Sequence, residues 1–418
     1  MLLFPTAGFG DHFLTGRLLE GDLVKKEGAP AAPDNEQETE VKHLVACLPL
    51  AACALAHAQS SVTLYGAVDS ALTYTNNQGG KSAVQTYSGG RAGDKFGMRG
   101  VEDLGSNLKA IFVLEAGFSI QTGAFQPANT LFGRQAFVGL SGDWGSVYLG
   151  RQYSMTNDYF VPLSTSFLFA GGLGATLGDI DGSWNYNKIS NVIKYESPVY
   201  RGFNYSAMLS LGGTPGDFSH DRTYGVGAQY ANGGLTLAGA YMNMRTPATS
   251  IFGAGSSPVA GAAFTNPVTN PIFQNYVTAT SQQVLGGGAK YVYGRSQLSF
   301  LYSNVRFLDI VRTASNRTAP ANAAFNNYQL NYAFNFTPAT MGGVAWQYSA
   351  SPGGHYNSLE AGTAYLFSKS TYVYGMTIWQ HASGVDSTGK QAVANLFGLS
   401  PSSNSNQVAL RVGLRKLF

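Results

Sequence analysis

The sequence predicts an all-β fold, a sixteen-stranded antiparallel transmembrane β-barrel. One observation is composition: charged residues make up only 12% of the chain, whereas glycine (52), tyrosine (24) and phenylalanine (25) are abundant, and the mean hydropathy is −0.05. A second is the strict alternation of short and long connections between strand-like runs from residue 61 onward. The third is a last segment with one apolar and one polar face. The longest apolar stretch, residues 44–56, is shorter than the roughly 20 residues of a membrane-spanning helix.

The connections define the strand count. Seven short turns are rich in the Gly, Pro, Asn and Asp that tight connections need, and they lie at Asp103–Asn107, Ser141–Gly145, Ser197–Gly202, Ala231–Gly234, Gly294–Ser296, Thr337–Thr340 and Ser368–Ser370. Eight longer connections alternate with them, at residues 77–94, 120–131, 155–188, 212–222, 246–281, 308–325, 351–355 and 383–404. Fifteen connections join sixteen strands.

Strict alternation places all short turns and both ends of the barrel on one side of the membrane. Short periplasmic turns with long outer loops are typical of outer-membrane barrels, so we expect a Gram-negative outer-membrane location. A soluble β-sandwich stays open as the structural alternative, although its loops rarely alternate in this way. Aromatic residues near the ends of the runs are candidates for girdles at the membrane surfaces: Tyr65, Phe203, Tyr241, Tyr332, Phe336 and Tyr372.

The last fourteen residues, SNQVALRVGLRKLF, are interpreted as the strand that closes the barrel against VTLYGAV (62–68). Alternate residues of a strand face opposite sides. The outward set is Val408, Leu410, Val412, Leu414 and Phe418, and the inward set is Gln407, Ala409, Arg411, Gly413 and Arg415. Two inward arginines suit a wet lumen, although this segment alone is also compatible with a half-buried strand of a soluble sheet. Lys416 has the outward parity, which requires a position at the periplasmic rim.

The first 58 residues are expected to be absent from the mature protein. Residues 1–40 are interpreted as a non-native or untranslated leader, with Val41 as the true start, and a disordered leader is the alternative. Residues 41–58 have the basic flank, apolar middle and small-residue cleavage site of a signal peptide. A lipoprotein cleavage box ending at Cys53 is the competing interpretation. The barrel is then residues 59–418.

Removal of residues 1–58 changes the charge balance of the chain. The full chain carries a formal charge of +3 from 26 basic and 23 acidic residues, and that segment holds 4 of the basic and 8 of the acidic residues. The mature chain is therefore about +7, a modest bias toward anionic solutes or partners.

Motifs for catalysis are missing. GGLGATLG (171–178) lacks the spacing of a dinucleotide loop, and GLSGD (139–143) has Asp143 where a nucleophile elbow needs glycine. The mature histidines, His220, His355 and His381, lack metal-ligand spacing. We therefore expect no enzyme activity, no cofactor, no metal and no nucleic-acid partner.

Five segments resemble the general porins of β-proteobacteria, of the Burkholderia, Bordetella and Neisseria type. They are SSVTLYGAVDSAL, KFGMRGVEDLGSNLKAIFVLEAGF, GRQAFVGLSGDWGSVYLGRQY, SNVIKYESP and NQVALRVGLRKLF. The resemblance spans residues 60–418. It implies a homotrimer in which each barrel has its own water-filled pore, narrowed by an inward-folded third loop that faces basic residues on the wall.

The resemblance also implies which residues line the constriction. The basic residues that it places on the pore wall are Lys95, Arg99 and Arg134, with Arg151 and Lys194 as further members. The constricting loop is 155–188, and its acids are Asp158, Asp179 and Asp181. This loop carries FLFAGGLGATLG where many porins have a PEFG-like turn. Strand parity supports Lys95 and Arg99, whereas Arg134 shares the parity of the apolar Val138 and Leu140. Arg411 and Arg415 are lumen-facing, and Phe418 is the assembly signal.

These features together predict a general diffusion porin with a weak anion preference, because a basic wall facing an acidic loop creates a transverse field that orients solutes. The expected partners are small hydrophilic solutes and anions, outer-membrane lipid and lipopolysaccharide, and the barrel assembly machinery. A substrate-selective channel is the main alternative. An adhesin using loop 246–281 and a barrel enzyme are less favoured.

Overall fold

A computed structural model describes residues 61–184, 187–253 and 256–418. The predicted leader (1–40) and signal peptide (41–58) lie outside the described residues. In this part of the chain no helix is long and apolar enough to cross a membrane.

Seventeen strand segments account for most of the described chain. Their bounds are β1 Ser61–Gln78, β2 Lys81–Ser88, β3 Lys95–Gly105, β4 Leu108–Gly117, β5 Gln135–Gly142, β6 Gly145–Tyr153, β7 Lys188–Glu196, β8 Phe203–Ser210, β9 Thr223–Asn232, β10 Leu235–Arg245, β11 Ala279–Tyr293, β12 Ser296–Ile310, β13 Ala323–Asn335, β14 Thr340–Ala350, β15 Gly354–Ser368, β16 Thr371–Gly384 and β17 Asn406–Leu417. The two α-helices are α1 Met155–Phe160 and α2 Pro247–Ser250.

The segments form one closed antiparallel barrel. Apart from β2 and β3, each strand pairs with its neighbours in sequence, and β17 pairs with β1 to close the sheet. β2 and β3 share one barrel position, because β2 pairs with residues 70–78 of β1 and β3 pairs with residues 61–67. The seventeen segments therefore make sixteen barrel strands, which confirms the predicted count. Closure pairs the first and last strands over residues 67–75 of β1, which limits the unpaired strand edge that would expose backbone groups to lipid.

All seven short turns are confirmed, but the prediction of the first long connection is wrong. Residues 77–94 were expected to be a loop, whereas Gly79 and Gly80 form a two-residue turn and β2 follows at once. The polar side chains of β2 resemble a loop in sequence, yet a strand needs only backbone partners and tolerates polar residues where it is solvent-exposed. The excursion from the wall is limited to residues 89–94, which enter the barrel.

The closing contact lies further along β1 than predicted. β17 pairs with residues 67–75, and the predicted partner, residues 62–68, pairs mainly with β3. Beyond the strand, Gly66 and Phe418 exchange two backbone hydrogen bonds of 2.8 and 3.1 Å. The Lys416 ammonium donates to Ser370 Oγ at 2.9 Å in a short turn, so Lys416 lies at the rim as expected.

The alternation predicted for β17 is confirmed. Leu410, Val412 and Leu414 are exposed on the outer face, whereas Arg411 and Arg415 are 1% and 2% exposed on the inner face. The outer surface as a whole carries exposed apolar and aromatic side chains that suit contact with lipid. Four of the six candidate girdle residues have outward parity, but Tyr65 and Tyr372 face inward. Tyr372 lies opposite the inward Arg415, and Tyr65 bonds to an inward carboxylate.

The apolar core lies inside the barrel around the third long loop. We name residues 154–187 loop 3, residues 246–278 loop 5 and residues 385–405 loop 8. One buried cluster joins α1 of loop 3 to β7, β8, β10–β13 and loop 5, and a second joins residues 168–173 to β13–β17 and to loop 8. The interior is therefore partly filled by the chain itself, which narrows the space left for solutes.

Candidate pore constriction

Loop 3 starts with a capped helix that faces the wall. Ser154 Oγ accepts a hydrogen bond from the Asn157 backbone N–H at 3.1 Å, which satisfies one of the free donors of the first turn of α1. Pro162, just after α1, interrupts the regular helix. Helical turns continue to Asp179, and most of the described side chains of the loop are buried.

Glycines on the wall make room for the aromatic side chains of loop 3. A Cβ at Gly227 would lie 2.2 Å from the Tyr159 ring, and one at Gly286 would lie 2.9 Å from Phe160. Phe169 lies over two further wall glycines, Gly343 and Gly362, with equivalent distances of 2.5 and 2.6 Å. The expected inward fold of loop 3 is therefore confirmed, despite the unusual sequence of the loop.

Polar side chains of the wall bond to backbone carbonyls of loop 3. Gln282 Nε2 donates to the Ile180 carbonyl at 3.0 Å, and Gln347 Nε2 donates to the Gly174 carbonyl at 2.8 Å. The Leu163 carbonyl accepts from both Ser299 Oγ and Asn331 Nδ2 at 3.0 Å. Buried carbonyls left without a partner are costly, so these bonds fix the loop at several points along β11–β14.

Arg91 holds loop 3 from the opposite side. Its guanidinium donates to three successive carbonyls, those of Ser166, Phe167 and Leu168, at 2.8, 2.6 and 2.8 Å. Gly171 has a φ of +57°, and a Cβ there would lie 2.3 Å from the Gly90 carbonyl. Residues 89–94 and loop 3 therefore interlock inside the barrel.

Lys95 and Arg134 converge on one carboxylate. Lys95 Nζ lies 3.1 Å from Glu115 Oε2, and Arg134 Nε lies 2.7 Å from Glu115 Oε1. Arg134 Nη2 also donates to the Tyr153 hydroxyl at 2.7 Å. Arg134 immediately precedes β5, so the parity of that strand does not apply to it and the side chain faces inward. The two residues are brought together, but Glu115 neutralises part of their charge.

Arg99 lies next to this group. The Tyr65 ring has the Arg99 guanidinium and Lys95 Nζ each 5.6 Å from its centroid, and its hydroxyl donates to Glu115 Oε2 at 3.0 Å. Arg99 is half-buried, and the Lys95 side chain is 14% exposed. These two residues retain more contact with solvent than the 7% exposed Arg134.

Lys194 lies on a different part of the wall and is already paired. Its ammonium forms an ion pair with Asp158 of α1 and another with Glu196 Oε1 at 3.2 Å. Lys194 and Asp158 thus join loop 3 to β7. Their charges are balanced locally, and the side chain of Lys194 is only 3% exposed.

The two remaining loop acids make different contacts. Asp181 Oδ2 accepts from Ser303 Oγ on β12, and its Oδ1 accepts from the Ser183 N–H at 3.0 Å. Asp179 has a φ of +50°, and its Oδ1 accepts from the Trp184 N–H at 2.8 Å. Asp181 therefore anchors loop 3 to the wall, while Asp179 shapes the local turn.

Arg411 and Arg415 face inward, but residues 89–94 cover them. Arg411 Nη1 donates to the Gly90 carbonyl at 3.0 Å and Arg415 Nη1 to the Ala92 carbonyl at 2.9 Å. Arg415 also lies 3.5 Å from Asp69 Oδ2. Both arginines thus hold residues 89–94 in place. Their positive charge lies between that segment and the barrel wall.

Arg151 is not brought together with the other basic residues. It lies opposite Ala136, on the outward parity shared by Leu149. Its guanidinium donates to the Gly133 carbonyl at 2.8 Å and to Ser190 Oγ at 2.6 Å. A register shift between Gly150 and Gln152 then returns the next side chains to the inner face.

The residues missed by sequence reasoning are mainly the partners of the basic side chains. They are Asp69, Arg91, Glu115, Tyr153 and Glu196. Glu115 gave a usable signal, because it and Lys109 are the two charged residues of β4 and both have inward parity. Arg91 gave none, since its segment resembled an exposed loop. Among the described residues, no cluster of three or more His, Cys, Asp or Glu is arranged to hold a metal ion.

Fold and constriction together define an outer-membrane channel: a closed sixteen-stranded barrel with an apolar exterior and an inward loop beside a basic wall. The model of the family described as Gram-negative porin matches residues 44–383. The chain belongs to this family. It is a channel and not an enzyme, and its location is the Gram-negative outer membrane.

Individual relatives agree with this assignment. An outer membrane porin protein of Bordetella pertussis is 31% identical over 228 residues, covering 48% of this chain but only 58% of that protein. Outer membrane porin protein 32 of Delftia acidovorans is 27% identical over 393 residues, covering 90% of this chain and 99% of that protein.

Two solved structures share the fold. An anion-selective porin from Comamonas acidovorans matches with a TM-score of 0.66 and 22% identity over 86% of this chain and 100% of that chain. The trimer form of OmpT from Vibrio cholerae matches with a TM-score of 0.59 and 13% identity over 86% of this chain and 99% of that chain.

Proposed function

We propose that this porin is a homotrimeric general diffusion channel that passes small hydrophilic solutes and ions with a weak preference for anions. The observation that carries the anion preference is an unequal balance of charge on one part of the inner wall. We name as the basic wall the side chains Arg91, Lys95, Arg99, Arg134, Arg411 and Arg415. The acids on or beside this wall are Asp69, Asp94 and Glu115. Basic side chains exceed acidic ones there by three.

The surplus acts where loop 3 leaves the wall uncovered. Loop 3 packs mainly on β8–β12 and β14–β16, whereas Lys95 and Arg99 lie on β3. An unbalanced positive wall inside a low-dielectric barrel raises the local concentration of anions and lowers that of cations. The source of the field differs from the sequence expectation, because Asp158 and Asp181 are engaged with the wall instead of opposing it.

The trimer and the other partners are further parts of the proposal. The trimer form of the Vibrio cholerae structure and the apolar outer surface support assembly into trimers. Aromatic and apolar side chains on that surface also suit contact with outer-membrane lipid and lipopolysaccharide. Phe418, at the exposed end of the closing strand, is proposed as the signal read by the barrel assembly machinery.

Planar-bilayer recording of the purified protein tests the channel proposal. We expect conductance steps in groups of three that rise about linearly with salt concentration, because ions cross through water without a saturable site. Saturation of the current at moderate salt, or single steps from a monomeric species, would contradict a trimeric general porin.

A further inference from the structure

Two arginines lie side by side on the outward face of the barrel, at the outer ends of β9 and β10. Arg222 immediately precedes β9 and Arg245 ends β10, and the Arg245 backbone N–H donates to the Arg222 carbonyl at 2.9 Å. Arg245 has outward parity, because Met244 before it is 1% exposed on the inner face, and its charge reaches the hydroxyl of Tyr224 on β9. The short turn between these strands lies at the periplasmic end, so the two arginines lie on the loop side. We name them the outer arginine pair.

Aromatic rings hold the Arg222 guanidinium on the lipid-facing side of the wall. It lies 5.0 Å from the centroid of the Phe218 ring and 5.8 Å from that of the Tyr224 ring. Phe218 is 66% exposed, and Tyr224 shares the outward parity of Val226, which is 54% exposed. Contact with aromatic faces favours a cation and restricts its position without neutralising its charge. The guanidinium is therefore positioned on the outer surface before any ligand arrives.

The outer arginine pair carries positive charge that the chain itself does not neutralise. Within the described part of the chain, neither guanidinium forms an ion pair or a hydrogen bond. The adjacent acid, Asp221, is engaged elsewhere, because its Oδ1 accepts from Thr249 Oγ1 of α2 and its Oδ2 lies 3.3 Å from His220 Nδ1. Like charges at directly opposed positions of neighbouring strands are destabilising. An anion bound between the two guanidiniums removes that repulsion.

A third arginine extends the positive surface to β12. Arg306 lies two strands away from the outer arginine pair, and it faces outward because its neighbours Val305 and Phe307 are 0% exposed inside the barrel. Arg306 is exposed, and its Nε donates to the neutral Asn304 Oδ1 at 2.8 Å. The acid near the end of this strand, Asp309, accepts instead from a threonine of β11 at 3.5 Å. The outward face is therefore basic across β9–β12.

The lipid-facing surface begins directly below the outer arginine pair. Val226 of β9 and Leu237 of β10 are exposed on the same face, so hydrocarbon chains lying along these strands end at the two guanidiniums. The planar fork of a guanidinium matches the oxygens of a phosphate, and the resulting hydrogen bonds are charge-assisted. We propose that the outer arginine pair binds the phosphate headgroup of a membrane lipid of the outer leaflet. The proposal gives a site to the lipid contact proposed above and rests on it.

The test uses phosphorylated lipid A as the probe, with the same lipid after removal of its phosphates and inorganic phosphate as comparisons. Binding to the detergent-solubilised protein is measured by native mass spectrometry, which is independent of ion conduction and so separates this proposal from the channel proposal. We expect the dephosphorylated lipid to bind at least about tenfold more weakly than the phosphorylated lipid. Inorganic phosphate should displace the phosphorylated lipid only weakly, because it lacks the hydrocarbon chains.

Two variants and one control locate the site. Arg222→Gln/Arg245→Gln removes both charges and is expected to weaken binding of the phosphorylated lipid by about tenfold or more. Arg245→Lys keeps the charge but lacks the planar fork, so we expect an intermediate affinity, and it still tests the site if the double variant does not assemble. Arg201→Gln/Lys369→Gln removes two exposed positive charges from short turns at the periplasmic end and should leave binding unchanged.

Four results would overturn the proposal. Equal binding of the two lipids would leave the general lipid contact intact but remove the phosphate site, whereas binding of neither lipid would contradict both. Equal loss in Arg201→Gln/Lys369→Gln would indicate a general effect of charge, and inorganic phosphate that binds as strongly as the phosphorylated lipid would indicate a site for the free ion. Binding that both Arg222→Gln/Arg245→Gln and Arg245→Lys leave intact would place the lipid elsewhere, as the fourth such result.

Discussion

At the scale of single residues, the basic wall carries more positive charge than the neighbouring acidic side chains neutralise. Glu115 is 1% exposed and contacts both Lys95 and Arg134, so it limits the positive charge of the basic wall. Buried charges that lose their partner are strongly destabilising, whereas a balanced group is tolerated. Glu115 thus acts on both selectivity and stability.

Replacing Glu115 with glutamine should make the channel more selective for anions and less stable. The substitution leaves the volume nearly unchanged but removes the charge shared by Lys95 and Arg134, and breaking a buried pair costs about 3–5 kcal/mol. Reversal potential in a salt gradient and the urea midpoint of the refolded protein measure the two effects.

Glu102→Gln is the matched control for Glu115→Gln, because Glu102 is exposed on the neighbouring strand β3. It should change neither quantity appreciably. A reversal potential for Glu115→Gln that stays at the wild-type value would show that this carboxylate does not influence the ion path.

At the scale of elements, loop 3 is positioned by residues from several parts of the chain. The glycines under Tyr159, Phe160 and Phe169 accept its apolar side, and Arg91 bonds to its carbonyls. The inward fold was expected from the family resemblance, but its anchors were not. They are long-range contacts between segments that look unremarkable in sequence, and the sequence predicts residues 89–94 to be part of an outer loop.

Arg91→Gln should loosen loop 3. The change removes up to three hydrogen bonds from a charged donor, each worth roughly 1.5–3 kcal/mol, and leaves the carbonyls of Ser166, Phe167 and Leu168 without that partner. We expect noisier open-channel current and a changed mean conductance in single-channel recordings. Arg91→Lys should give open-channel noise between those of the wild type and Arg91→Gln, since lysine lacks the planar fork of arginine.

The control for Arg91→Gln is Arg201→Gln, which removes the same charge from an exposed short turn. Wild-type noise in Arg91→Gln would mean that the wall contacts on β11–β14 suffice to hold the loop.

The closing strand makes a second prediction at this scale. Gly66 packs against the Phe418 ring so closely that a Cβ would lie 2.4 Å from it. Phe418→Ala should therefore lower the stability of the refolded barrel by about 1–2 kcal/mol, in addition to reducing its amount in the outer membrane of cells. Heat-dependent migration on gels measures the stability of the refolded barrel and, on outer-membrane samples, the amount of folded protein in cells.

Phe336→Ala is the comparison for Phe418→Ala, since both rings are 55% exposed at the same end of the barrel. If Phe418→Ala has wild-type stability in micelles but fails to assemble in cells, Phe418 acts only as an assembly signal. Unimpaired assembly in cells would contradict that role.

At the scale of the whole molecule, strand number, alternation and orientation were predictable because a barrel imposes regular constraints on its sequence. The period of two and the short turns depend on local chemistry, which the sequence shows directly. The charge pattern of the lumen depends on which inward side chains meet across strands. Arg134 illustrates the limit, because its direction is set by a chain bend just before β5, and Arg151 lies on the outer face although its motif matches the family.

The central claim is that the basic wall, through its solvent-contacting members, gives the channel its anion preference. Its most direct test is the reversal potential of the wild-type protein and of the double variant Lys95→Gln/Arg99→Gln in a potassium chloride gradient. The control is Lys81→Gln/Lys369→Gln, which removes two exposed positive charges away from the basic wall, one at the start of β2 and one in a short turn. We predict a wild-type potential on the anion-selective side, a shift toward cations in the first variant and no shift in the control. A cation-selective wild type, or a potential that the loss of Lys95 and Arg99 leaves unchanged, would contradict the account.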